Sequence, residues 1–232
     1  MSKKKLTKNR KKFLSKIYKK NFSLEESLSI IKQIGFAKFD ESVDISIRLC
    51  KNNKIGNNNI KGIVDLPHGT GKKNCILAIV TEDKKNESKK VGATYVGLDY
   101  IDKINSGWWD NKINSVISMP SIMNKLNMIS KILGRKGLMP NNKYNTISSD
   151  PEISIKNIIS GRVFFKSDKY GIIHSSIGRK SFSNNFLLEN IMVFVKEFIK
   201  KNYNYHIKNI YLSTTMSYSI LLDQKVFLNE RK

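Results

Sequence analysis

The feature that most constrains this chain is that it carries two hydrophobic periods. Cys75-Ile76-Leu77-Ala78-Ile79-Val80 is apolar at every position. A strand built from it needs cover on both faces, the environment of a parallel sheet flanked by helices. Val43, Ile45, Ile47 and Leu49 instead alternate with Asp44, Ser46 and Arg48, which buries one face and leaves the other wet. A single sheet in a single environment does not satisfy both patterns. After Gly161 the two-residue period returns at Val163–Lys166, at Gly171–Ile177, and near 207–216 and 219–226. The wet-faced strands therefore bracket the covered ones. This predicts a discontinuous α+β outer domain from 1–68 and 160–232, with a Rossmann-like three-layer α/β domain, 69–159, inserted between its halves. The fold class is α/β, in two domains.

The other elements fit that plan. Residues 3–20 read as a basic helix with Phe13, Leu14, Ile17 and Tyr18 on one side. Ser23-Leu24-Glu25-Glu26 has the spacing of a capping box and opens a second helix. Ile60 to Leu66 reads as a strand. In the middle region a charged helix ending near Gly92, a strand at 94–97, a helix near 99–106 and a strand at Ile113–Met119 alternate as β-α-β units do. A longer helix is predicted at 121–133, and an amphipathic one at about 184–200. Cys50 and Cys75 have no metal-ligand spacing and read as buried thiols of a reducing compartment.

Charge narrows the function. Lys+Arg number 42 against 19 Asp+Glu, a formal net charge of +23. Such self-repulsion points to a polyanionic partner, nucleic acid or an anionic membrane. Ten basic residues and no acid lie in 1–20 (+10), fourteen against eight in 69–159 (+6), and eighteen against eleven elsewhere (+7). The excess is not one sticky tail. No run reaches the roughly 18–20 apolar residues of a membrane span, and Met1-Ser2-Lys3-Lys4-Lys5 lacks the apolar stretch of a secretory signal. The expected location is the cytoplasm, with an organelle as the alternative. Only six of the 42 basic residues are Arg, so a Lys here often stands where Arg's planar fork would serve.

No enzyme is legible. His68-Gly69-Thr70-Gly71-Lys72-Lys73 lacks the first glycine and the final Ser or Thr of a phosphate-binding loop. Gly134-Arg135-Lys136-Gly137 has the spacing of an RNA-clamping glycine loop, but nothing else of that module accompanies it. His68, His174 and His206 are dispersed without a paired nucleophile or metal ligand. Glu25-Glu26 and Asp40-Glu41 are expected at helix caps and on solvated faces. No catalytic residue, metal, cofactor or small-molecule substrate is indicated. What remains is a surface: Asn209, Tyr211, Ser213 and Thr215 should point outward from one strand, and Ser42, Asp44, Ser46 and Arg48 from another. Hydroxyls and a carboxylate on a basic protein suit ribose 2′-hydroxyls.

Three stretches read together carry a family resemblance. Ala37-Lys38-Phe39-Asp40-Glu41-Ser42-Val43-Asp44, Leu66-Pro67-His68-Gly69-Thr70-Gly71-Lys72 and Gly134-Arg135-Lys136-Gly137-Leu138-Met139-Pro140-Asn141-Asn142-Lys143 resemble the first RNA-contacting segment, the first interdomain crossing and the signature loop of the L-one family of ribosomal proteins. Lys166–His174 and Ser213–Met216 are lesser matches in the same order. The resemblance implies a monomer within the ribosome whose outer domain grips large-subunit ribosomal RNA and builds the mobile stalk beside the exit site, assisting release of deacylated tRNA. Many bacterial members also repress translation of their own messenger RNA. Carried over residue by residue, Phe39 packs on RNA, Ser42 and Asp44 bond ribose or backbone, Thr215 bonds a 2′-hydroxyl, and Met216 packs on sugar and base. The expected contact set is Lys38, Phe39, Ser42, Asp44, Lys166, Lys169, Asn209, Ser213, Thr215, Met216 and Ser217. Gly69 and Gly161 stand at the crossings as hinge candidates. The chain departs from the family pattern at Arg135 and Asn142, where prolines are usual, and at Asp44, Asn209 and Ser217, where Glu, Ser and Gly are common. The alternative function is a basic RNA chaperone or assembly factor bound transiently.

Overall fold

The computed structural model describes residues 22–50, 60–201 and 207–223, with Lys8 besides. The basic helix expected over 3–20 and His206 therefore lie outside the described residues. Packing divides the chain into two units, one from residues up to Gly71 and from Val163 onward, the other Lys72–Arg162.

In the outer unit the capping box forms as its sequence requires. Ser23 Oγ accepts from Glu26 N at 3.3 Å, and the Glu26 carboxylate accepts from Ser23 N at 3.3 Å. Together they start helix α1, Leu24–Ile34. Strand β1, Ser42–Leu49, follows, then β2, Lys61–Asp65. After the middle unit the chain returns as β6, Arg162–Lys166, and β7, Ile172–Arg179, then α7, Asn184–Lys201, β8, Ile207–Thr214, and β9, Ile220–Leu221. The sheet order is β7-β1-β8-β9, antiparallel throughout, while β2 and β6 form a separate pair. The inward residues Val43, Ile45, Ile47, Ile210 and Leu212 are fully buried under α1 and α7. Full burial of each such aliphatic side chain contributes about 1.5–3 kcal/mol. Phe165 meets Phe194 and Phe198 edge-on at 5.8 and 5.7 Å, joining β6 to α7.

The middle unit places β3, Cys75–Ile79, between β4, Tyr95–Val96, and β5, Ile113–Ser118, all parallel. Helix α2, Glu82–Val91, links β3 to β4, and α3, Tyr100–Asn105, links β4 to β5. Leu77 and Ile79 pack with Ile101, Ile104, Leu126 and Leu133, while Ile76 and Ala78 on the opposite face have no exposure either. Cover on both faces is the reason the Cys75–Val80 run carries no polar residue.

Three sequence expectations need correction. The helix over 121–133 is broken into 3₁₀ turns at Pro120–Ile122 and Asn127–Ile129 between short helices α4, Met123–Leu126, and α5, Ser130–Arg135. Ser130 Oγ donates to Asn127 O at 2.8 Å, a local bond that competes with the regular helical pattern. Ile122, Leu126, Ile129 and Leu133 stay buried all the same. A helix the periodicity passes over, α6 at Pro151–Ser160, begins with Pro in its first turn and ends on Gly161. Its Ile153 and Ile159 are exposed, which blurs the apolar stripe. Finally, Cys50 and Cys75 are only half-buried.

Candidate nucleic-acid interface

Strand β1 lies between β7 and β8, so its outward side chains become the centre line of a polar face. Asp44 sits opposite Ser176 on one side and Ser213 on the other; Ser46 lies between His174 and Tyr211, and Arg48 between Ile172 and Asn209. Ser46 Oγ and His174 Nδ1 are 3.0 Å apart. Ser176 Oγ is buried and has no hydrogen-bond partner among the described residues. A buried hydroxyl without a partner is uncommon, because leaving it so costs about 1–3 kcal/mol.

At one end of this face the residues expected to contact RNA converge. The end of β8 meets the start of β1: Thr215 N donates to Ser42 O at 3.1 Å, and Ser42 N donates to Thr215 Oγ1 at 3.0 Å. The Thr215 oxygen therefore already serves the fold as an acceptor, and its hydroxyl proton remains to be donated. Beside this junction Phe39 is 55% exposed and Met216 54% exposed, and Lys38 is exposed on the same loop. Two large apolar side chains kept half in water, one three residues before Ser42 and one directly after Thr215, have a use for a flat or apolar partner. Asp44 and Ser213 flank the junction one step along the strands.

Ser217 does something the sequence does not announce. Its Oγ accepts from Thr214 N at 3.0 Å and donates to Tyr218 O at 3.2 Å. It closes the turn after β8 without any need for positive φ. The serine hydroxyl is thus spent inside the protein.

Other expected residues are elsewhere. Ile172 of β7 pairs with Arg48, and Gly171 O accepts from Leu49 N at 3.0 Å. The turn carrying Lys169 therefore lies at the far end of β1 from Ser42, about 20 Å away at roughly 3.3 Å per residue. Asp168 Oδ1 shapes this turn, accepting from Tyr170 N at 2.8 Å and Ile172 N at 2.7 Å. Lys169 Nζ lies 5.1 Å from the centroid of the exposed Tyr170 ring. A cavity here is lined by Arg48, Cys50, Tyr170 and Lys208. Lys166 closes β6, and Asn209 opposite Arg48 belongs nearer this end. The expected set thus falls into two groups at opposite ends of β1, with Lys166 on the separate β2–β6 pair, rather than a single patch.

Of the hinge candidates, Gly69 has φ +62° and Gly161 φ +122°. Gly161 caps α6, so its conformation is demanded by helix termination as well as by any crossing. Gly69 is tethered, since buried Asn190 donates to Gly69 O at 3.0 Å and Ile177 O at 2.8 Å, and accepts from His68 N at 3.1 Å. His68 itself stacks on Phe186 at 4.1 Å and approaches Glu189 at 2.5 Å. In the signature loop Gly134 lies within α5, so the Gly134–Gly137 spacing is not a free glycine clamp. Asn141 and Thr146 brace the loop instead, Asn141 N donating to Thr146 Oγ1 at 2.7 Å.

Glu41 overturns its half of the reading of that pair as a cap or a solvated face, while Asp40 is exposed. Glu41 has no exposure, and the Asp40 carboxylate is held by Ser181. Arg179 reaches the same segment. Sequence reasoning missed Arg179, Ser181, His174 and Ser176. The available signal was scarcity: in a chain with 36 Lys among its 42 basic residues, each retained Arg marks a place where a planar fork is wanted.

Comparison with known proteins agrees with this architecture. Residues 30–218 match the model of the ribosomal protein L1p/L10e family. The large ribosomal subunit protein uL1 of Flavobacterium psychrophilum is 44% identical over 227 residues, covering 95% of this chain and 98% of its own. The proteins of the same name from Porphyromonas gingivalis strain W83 and Christiangramia forsetii are 43% and 40% identical, over 95% and 97% of this chain and 97% and 99% of theirs. With a family model covering most of its length and relatives matched nearly end to end, this chain belongs to the ribosomal protein L1p/L10e family.

Proposed function

We propose that this protein is a structural, non-enzymatic constituent of the large ribosomal subunit that binds large-subunit ribosomal RNA through the outer unit. The carrying observation is the junction of β1 and β8, where exposed Phe39 and Met216 flank Ser42 and Thr215 beside Asp44 and Ser213. Apolar surface for a sugar or base, plus neutral hydroxyls for ribose, reads RNA rather than mere negative charge. The second group, Arg48, Lys169 and Lys208, supplies positive charge at the far end of that sheet, suited to phosphates, with Lys166 on the separate β2–β6 pair. The finer roles rest on family membership: stalk movement with release of exit-site tRNA, and repression of the protein's own messenger RNA. Crossings at Gly69 and Gly161 are consistent with hinge motion in that setting. The bacterial relatives support a cytoplasmic ribosome as its location.

The test is equilibrium binding of the full chain to a ribosomal RNA stalk fragment, beside a control duplex of equal length. Phe39→Ala should weaken stalk binding about tenfold or more while leaving duplex binding nearly unchanged, as for loss of an aromatic stacking contact worth about 1–3 kcal/mol. Equal affinity of wild type and variant for the stalk RNA would falsify the assignment of this site. Retention at one copy per salt-washed large subunit separates a structural component from a transient chaperone.

A further inference from the structure

We infer that Asp40, an acidic residue on the RNA-facing loop, is a positioning residue for RNA binding. It acts by latching the Phe39 loop to the turn Arg179–Phe182, so that removing its negative charge weakens binding to a polyanion. The inference rests on the reading of the Phe39 junction given above.

The segment from Gly35 to Ser42 has no regular secondary structure before β1, yet it must present Phe39 in one place. Beyond the helix-end bond from Gly35 N to Ile31 O, the hydrogen bonds that fix it among the described residues come from one turn or from Thr215. Ser181 N donates to Asp40 Oδ1 at 3.1 Å and Ser181 Oγ to Asp40 Oδ2 at 2.8 Å, so both carboxylate oxygens are engaged by one residue. Arg179 Nη1 donates to Asp40 O at 3.1 Å and approaches Ser42 Oγ at 3.4 Å. Lys180 N donates to Glu41 O and Lys180 Nζ to Gly35 O, each at 2.8 Å. Within the loop Ala37 N donates to the buried Glu41 Oε1 at 2.9 Å. Asp40 is the one carboxylate that reaches across from the loop to grasp the turn.

The turn is itself immobilised, which a latch requires. Phe182 N donates to Arg179 O at 3.1 Å, and Phe182 O receives the Lys32 ammonium of α1. On the other side Gly71, at φ +68°, lets the backbone run so close that an added Cβ would lie 2.8 Å from Arg179 Cγ and 2.9 Å from Phe182 Cζ. With the turn fixed from both sides, what it holds is fixed too. An aromatic side chain pre-set for its partner binds without the cost of ordering a loop at the moment of contact.

Charge alone and positioning predict opposite signs. Removing Asp40 raises the net charge from +23 by one, so simple attraction to phosphates predicts tighter binding. The latch predicts weaker binding, by about tenfold, the worth of roughly one charge-assisted hydrogen bond. The experiment measures affinity of full-length Asp40→Asn, Ser181→Ala, their double variant, Phe39→Ala and Phe39→Ala with Asp40→Asn for the stalk RNA at two salt concentrations, with thermal unfolding alongside. Expected are weaker binding by Asp40→Asn and by Ser181→Ala, an unchanged salt slope, and a double variant no weaker than Asp40→Asn. Asp40→Asn should also cost little once Phe39 is Ala, because an absent ring needs no placing. Neutral or tighter binding by Asp40→Asn, or additive losses with Ser181→Ala, overturns the inference while leaving the site intact if Phe39→Ala still weakens binding. No effect of Phe39→Ala overturns the site and the inference with it.

Discussion

Replacing Thr215 with Val keeps the side-chain shape and removes one oxygen, which in this structure has two separate jobs. As an acceptor it takes the Ser42 N–H at 3.0 Å. As a donor it has a proton left for RNA. The first loss acts on the free protein: an exposed intramolecular hydrogen bond is worth about 0.5–1.5 kcal/mol, near the lower figure where water replaces it. That should lower the melting temperature by about 1–2 °C. The second acts only in the complex. A ribose hydroxyl buried against Val without a partner costs about 1–3 kcal/mol, a roughly 5- to 150-fold loss of affinity. Thr215→Ser keeps the hydroxyl and should recover most of both. The decisive assay titrates wild type and Thr215→Val against the stalk RNA and a series carrying single 2′-deoxy substitutions, with melting curves on the same samples. One deoxy position should bring the two proteins to equal affinity. If Thr215→Val binds as tightly as wild type, Thr215 leaves the contact set. If it binds worse by the same factor at every deoxy position, the loss comes from a displaced Ser42 backbone, and the ribose contact is refuted.

Two further outcomes follow from other parts of the molecule. A chain in which residues 1–71 are joined by a short linker to 163–232, leaving out the middle unit, should fold and keep stalk RNA affinity within about tenfold, a change of about 1.4 kcal/mol; a folded product bound more than a hundredfold more weakly moves the grip into Lys72–Arg162. In the middle unit, the Lys112 backbone N–H at 2.9 Å and the Tyr95 hydroxyl at 2.8 Å hold the Asp110 carboxyl below the usual carboxylate range. A depressed folded pKa gives stability that is present above the unfolded value near about 3.9 and lost as pH falls through the folded one, so urea midpoints should drop on acidification below pH ~4 and drop less in Asp110→Asn, and identical acid limbs for the two proteins would count against the pairing.

How much of this was legible depended on whether the determining contact was local. The alternation of Val43–Leu49 and the covered run Cys75–Val80 each carry their environment in the order of residues, so the wet sheet and the covered sheet were readable, as was the capping box at Ser23–Glu26. The helix at Pro151–Ser160 was not, although Pro and Gly161 bracket it, because exposed Ile153 and Ile159 spread apolar positions round the cylinder. The outward parity of Asn209, Tyr211 and Ser213 followed from the buried Ile210 and Leu212. Which end of the sheet each residue occupies did not. Register between β1, β7 and β8 separates Lys169 from Thr215, and register is a long-range property. The loop-to-turn bonds are less visible still: Asp40 and Ser181 are 141 positions apart, and nothing in either neighbourhood names the other.

Division of labour between charge and shape is the deeper consequence. A net +23 draws any nucleic acid, and at physiological salt the pull is screened beyond about 8 Å, so it sets affinity without choosing a site. At the Phe39 junction the chain does the opposite of adding charge. It places two carboxylates, Asp40 and Asp44, with the hydroxyls of Ser42, Ser213 and Thr215 and the apolar Phe39 and Met216. Close to phosphates each carboxylate is a penalty, tolerable only if it places something or accepts a hydroxyl proton. Asp40 meets that condition through Ser181, and Asp44 meets it if it accepts from ribose. On that reading a DNA strand, which has no ribose 2′-hydroxyl, offers Asp44 no such proton. On the proposed reading the acidic residues turn a general attraction into a choice of RNA over DNA, and the basic residues at the far end of β1 supply the attraction they give up.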